Sequence, residues 1–80
     1  MRLDKYLKVS RLIKRRTVAN EACDKGRVSV NDRVVKASYD VKVGDVIAIA
    51  FGEKTHRVRV LDLSEHVAKQ NAAGLYEILS

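Results

Sequence analysis

The chain has no proline and no tryptophan, and among its 80 residues are one cysteine, one methionine, one phenylalanine and four glycines. Without proline, repeats or a low-complexity stretch, no linker divides it, and the expectation is one domain. The lone Cys23 excludes an internal disulfide framework and a cysteine-rich zinc site, and fits a reducing compartment. The longest uninterrupted apolar run, VIAIAF at 46–51, falls short of a signal-peptide h-region and far short of the roughly 20 residues of a spanning helix. A soluble, cytoplasmic protein with no membrane partner follows from these shortages.

Catalytic apparatus is equally scarce. There is no glycine-rich phosphate loop, no nucleophile elbow and no carboxylate pair in a suggestive setting. His56 and His66 lie ten residues apart, without metal-ligand spacing, and read as surface histidines. So short a chain has a small core and little room to enclose an active-site pocket. The reading is a non-enzyme that uses no cofactor and no metal. The four aromatics are Tyr6, Tyr39, Phe51 and Tyr76. With Phe51 assigned to the core, a stacking platform for single-stranded nucleic acid is not expected.

What the chain does have is positive charge, unevenly placed. The formal net charge is +6. Residues 1–36 hold eleven Lys or Arg against four acids, whereas residues 37–80 hold five against six. The N-terminal half therefore carries the electrostatic footprint of a polyanion partner. Three consecutive cations, Lys14, Arg15 and Arg16, stand before a predicted helix, where the macrodipole disfavours them. A bound phosphate would offset both the cations and the dipole.

Hydrophobic periodicity supplies the frame. Residues 3–10 read as a helix with Leu3, Tyr6 and Leu7 on one arc and Arg2, Lys5 and Lys8 on another. A second helix is predicted from Thr17, as N-cap, to Lys25, with Gly26 just beyond its end. Val18, Ala19, Ala22 and Cys23 form its apolar arc, opposite Asn20, Glu21, Asp24 and Lys25. The period then becomes two. RVSVNDRVVK reads as a hairpin with its tip at Asn31-Asp32; Gly44-Asp45 makes a turn; Val46–Phe51 is a buried strand; and THRVRVLDL alternates, with Val58 and Val60 inward and Arg57 and Arg59 outward. Residues 65–73 could add a helical turn or two, and Leu75–Leu79 reads either as a final strand or as a docked tail. The fold class is α+β: two short helices packed on a small, mostly antiparallel sheet with a short C-terminal element. No major-groove recognition helix is evident, since Asn20, Glu21 and Asp24 occupy the exposed side of the second helix, so folded RNA suits the pattern better than DNA. A competing class is a protein-interaction adaptor anchored by Arg57 and Arg59, or by Tyr39 and Tyr76.

Three stretches, RLDKYL, SRLIKRRTVANEACDKGRVSVNDRVVK and VKVGDVI, fall in an order and spacing that resembles the S4 RNA-binding domain, also called the alpha-L motif. The likeness covers residues 2–49. The family's hairpin tip is commonly Asn-Gly where this chain has Asn31-Asp32, and Ala or Ser often stands where it has Thr17. The expectation is a single free-standing domain over 1–80, with the motif core at about 2–49 and the remaining strands and C-terminal segment at 50–80. Among free-standing branches, the chain is similar to the RqcP-like one of ribosome-associated quality control, and less so to the ribosome-associated heat-shock branch with its longer basic extension.

The resemblance implies an RNA-binding factor on the split large ribosomal subunit. Its partners would be large-subunit ribosomal RNA, peptidyl-tRNA and an alanine-tailing quality-control factor, and the protein would act as a monomer. The alternatives are rescue of blocked large subunits, as in the heat-shock branch, or the adaptor role. Carried over by position, Arg2 and Arg16 would be the chief RNA contacts, with Lys5, Lys8, Arg11, Lys14 and Arg15 in support and Thr17 beside them. Asp4 would orient Arg2, cap the first helix, or serve simply as an acid in its first turn.

Overall fold

A computed structural model describes residues 1–65 and 74–79. Helix α1 spans Leu3–Val9 and α2 spans Arg16–Asp24. Strands β1 (Val28–Val30), β2 (Arg33–Val34), β3 (Val46–Phe51), β4 (Lys54–Val60) and β5 (Tyr76–Ile78) form one sheet in the order β2-β1-β3-β4-β5. Every neighbouring pair is antiparallel. The predicted α+β arrangement of two short helices and a small sheet is therefore the observed one. Within Leu75–Leu79, the strand alternative holds for Tyr76–Ile78, with Val58 opposite Ile78, while Leu75 and Leu79 flank it. The helical turn expected at 65–73 and the surface placement of His66 lie outside the described residues, apart from Glu65.

The apolar arcs meet between the helices and the sheet. Leu3, Tyr6 and Leu7 of α1, Ala19 and Cys23 of α2, and Val28, Val30, Ile47, Ile49, Val58 and Val60 of the strands are all buried. Burial pushes the Cys23 thiol up to about 11, with Asp4 and Asp24 adding to the effect, so it packs as a small apolar group. The buried Tyr6 hydroxyl donates to the Leu75 carbonyl at 2.7 Å, tying α1 to the segment that leads into β5.

Local chemistry sets the joints. At the end of α2, the Gly26 N–H reaches the Cys23 carbonyl and the Arg27 N–H reaches Ala22, a complete Schellman closure with Gly26 at φ +71°. Asn31 and Asp32 both adopt positive φ, 52° and 67°, so the hairpin keeps a type I′ turn without glycine. A second polar lock sits beside it. The buried Asp45 carboxylate accepts from Asn31, from the Tyr39 hydroxyl and from the Lys42 N–H.

Three expectations need correction. The predicted cap at Thr17 is displaced: Arg15 is the N-cap, extended at φ −124° and ψ 138° with no side-chain cap bond, so Thr17 lies inside the first turn. Phe51, assigned to the core, is 48% exposed. It continues the inward alternation of Ile47 and Ile49, but it occupies the last rung of the β3–β4 ladder, opposite Lys54, at the edge of the buried layer. Val18, from the predicted apolar arc of α2, is similarly half exposed.

Candidate nucleic-acid interface

The N-terminal basic segment gathers around one carboxylate. Asp4 sits in the first turn of α1, its side chain only 3% exposed. One oxygen accepts from the Arg2 Nε at 3.2 Å and the other from the Arg2 Nη2 at 3.3 Å, a forked pair. Arg16 approaches from α2, with its Nη2 3.5 Å from one oxygen and its Nε 3.4 Å from the other. Asn20, one helical turn further along α2, donates at 3.3 Å, and the Lys5 N–H at 2.8 Å. Burial alone would raise the Asp4 carboxyl, but the bonds from Asn20, Arg2, Arg16 and the Lys5 N–H outweigh it and hold the group below the usual carboxylate range.

Of the roles left open for Asp4, the capping one does not hold, since Arg2 is the N-cap of α1 and has no side-chain cap bond. Asp4 orients Arg2 and, as an acid inside the first turn, accepts the Lys5 N–H, one of the orphan donors there. The N–H groups of Leu3 and Asp4 are satisfied instead by the carbonyls of Tyr39 and Ala37. Arg16 also has an anion supplied by the protein itself, which offsets its unfavourable position at the N-terminus of α2. The side chains of Arg2 and Arg16 remain 51% and 47% exposed. Each guanidinium is fixed at one edge and leaves donors for a ligand, since only part of its five-donor fork is used.

The other predicted cations form a broader, looser rim. Lys8, Lys14 and Arg15 are exposed. Lys5 pairs with Glu65 at 3.0 Å, both side chains partly exposed, so its charge is partly answered within the protein. Arg11 takes φ +62° immediately after α1, where its N–H donates to the Lys8 carbonyl. Such a left-handed position usually favours glycine. Thr17 lines a shallow depression of about 440 Å³ together with Asp4, Arg16, Asn20 and Glu21. Sequence reasoning missed Asn20 by placing it on the solvent side of α2. The signal that could have found it is spacing: Arg16 and Asn20 are four residues apart and share a helix face.

The S4 domain family model matches residues 1–47. A Streptococcus pneumoniae protein named RQC P-site tRNA stabilizing factor is 58% identical over 80 residues, covering all of this chain and 91% of the relative. The Bacillus subtilis protein of the same name is 54% identical over 79 residues, covering 99% of this chain and 92% of the relative. Among solved structures, the trimeric Vibrio cholerae Heat Shock Protein 15 aligns with a TM-score of 0.91 at 27% identity, across all of this chain and 82% of that one.

Proposed function

The chain belongs to the S4 domain family, and from that premise we propose that it is an RNA-binding factor of ribosome-associated quality control. It engages the split large ribosomal subunit through ribosomal RNA and peptidyl-tRNA, and supports C-terminal alanine tailing of stalled nascent chains by a partner factor. It acts in the cytoplasm, as a monomer and without catalysis of its own. The observation that carries this reading is the buried Asp4 carboxylate, which holds Arg2 and Arg16 side by side with donors left over. Guanidiniums ordered in advance lose less freedom on gripping phosphates, and the rim of Lys8, Arg11, Lys14 and Arg15 extends the contact along a backbone. The relatives named for P-site tRNA stabilisation, more than half identical over nearly their full length, support assigning this chain the same task.

Sedimentation through a sucrose gradient tests the proposal, with wild type run beside Arg2→Ala/Arg16→Ala and each fraction probed for peptidyl-tRNA. Wild type is expected to travel with large subunits bearing peptidyl-tRNA, and the double variant to stay at the top. If the two migrate alike, the basic face is only a solvated surface. With about five phosphate contacts, log K should fall with log[salt] at a slope of roughly −4. Rescue of blocked large subunits is the second reading, favoured by the close structural match to Heat Shock Protein 15. Dependence of alanine tailing on this protein separates the two.

A further inference from the structure

The half-exposed Phe51 is an unusual feature for a chain with so few aromatics, and its surroundings are equally unusual. The ring meets His56 edge to face, with centroids 5.3 Å apart and planes at 74°, which restrains its orientation. With Leu12, Ile13, Lys14, Arg15 and Val18 it lines an open depression of about 490 Å³ beside the first turn of α2. A smaller depression of about 180 Å³, which the ring also lines, includes Lys25 and Arg27, with Glu21 as its one acid. Lys14 and Arg15 have no acidic partner among the described residues.

We infer that this patch is a binding site for a single unpaired nucleotide of the RNA, its base lying on the Phe51 ring and its phosphate held by Lys14 and Arg15. The inference rests on the RNA-binding reading and deepens it, since Arg15 adjoins Arg16 and the same helix turn serves both places. Charge decides the occupant. An apolar peptide covering Phe51 and Val18 would desolvate the surrounding cations and offer them nothing in return. A nucleotide instead brings an aromatic face and an anion together, the combination used wherever bases stack on a protein surface beside a cationic groove. Because the ring is already oriented by His56, little side-chain freedom remains to be lost when a base lands on it.

The test uses two RNA hairpins of equal charge density, one with a single bulged 2-aminopurine and one fully paired, at about 100 mM salt, where phosphate contacts still contribute measurably. Wild type should bind the bulged hairpin roughly ten-fold more tightly and quench the 2-aminopurine fluorescence, in line with stacking on one aromatic ring. Phe51→Leu should lose both the preference and the quench while binding the paired hairpin as wild type does, which also shows that it is folded. Phe51→Tyr should retain both. Equal affinity of wild type for the two hairpins, with binding still weakened by Arg2→Ala/Arg16→Ala, would overturn this inference and leave the RNA-binding reading intact. Failure of wild type to bind either hairpin would overturn both. An unchanged preference and quench in Phe51→Leu would show that the base stacks elsewhere and overturn the inference.

Discussion

Replacing Asp4 by asparagine separates two accounts of the basic face that otherwise predict the same behaviour. If the cations act only as a positive field, removing the one acid among them should tighten RNA binding. If Asp4 acts by holding Arg2 and Arg16 in place, the same change should weaken it. Ordering one long side chain on binding costs about 0.5–1.5 kcal/mol, so releasing both guanidiniums costs about 1–3 kcal/mol. The opposing gain, from deleting a charge about 6 Å from a bound phosphate in a water-like dielectric, is at most ~0.7 kcal/mol and smaller after screening. The net expectation is a loss of about 1–2 kcal/mol, roughly 5- to 30-fold in Kd.

Asparagine preserves the shape and keeps one acceptor oxygen, but its N–H₂ replaces the other and so faces donors, both guanidiniums and either the Asn20 amide or the Lys5 N–H, which lie 2.8–3.5 Å from the present oxygens. The assay is fluorescence anisotropy with a labelled fragment of large-subunit ribosomal RNA, beside circular dichroism to establish that the fold persists. Binding as tight as wild type, or tighter, by a folded Asp4→Asn protein would refute the positioning argument.

Acid should destabilise the fold through Asp4 and Asp45. Both carboxyls are held below their ordinary value despite burial, so their contribution is present above the unfolded-state pKa of about 3.9 and is lost as pH falls through the lower folded-state values. Urea midpoints measured from neutral pH downward should drop in that window, and more gently in Asp4→Asn/Asp45→Asn. Tyr6→Phe should cost about 1 kcal/mol in chemical denaturation, the lower end of the range for a buried bond because the Leu75 carbonyl keeps the N–H groups of Leu61 and Asp62. Gly26→Ala should cost about 1–2 kcal/mol from its left-handed backbone. Its new Cβ would lie 3.8 Å from a Val34 methyl, an ordinary contact, so a larger loss would mean that α2 and β2 cannot adjust.

Wherever one face of an element is buried and the other is wet, the order of residues was enough. Leu3, Tyr6 and Leu7, then Val28 and Val30, then Val58 and Val60 announce their elements by period, because local geometry sends those side chains to one side. Gly26 and Asn31-Asp32 mark their turns for a similarly local reason, the steric cost of positive φ. The concentration of cations in the first half was also legible, and with it the class of partner. The tertiary structure decided how those cations are used. Asp4, Arg16 and Asn20 meet only because α1 packs on α2, and no periodicity relates a residue on one helix to its partner on another. Phe51 shows the converse: alternation correctly sends its side chain inward, but whether anything lies there to cover it depends on where the neighbouring helix layer ends, which is a property of the assembled fold.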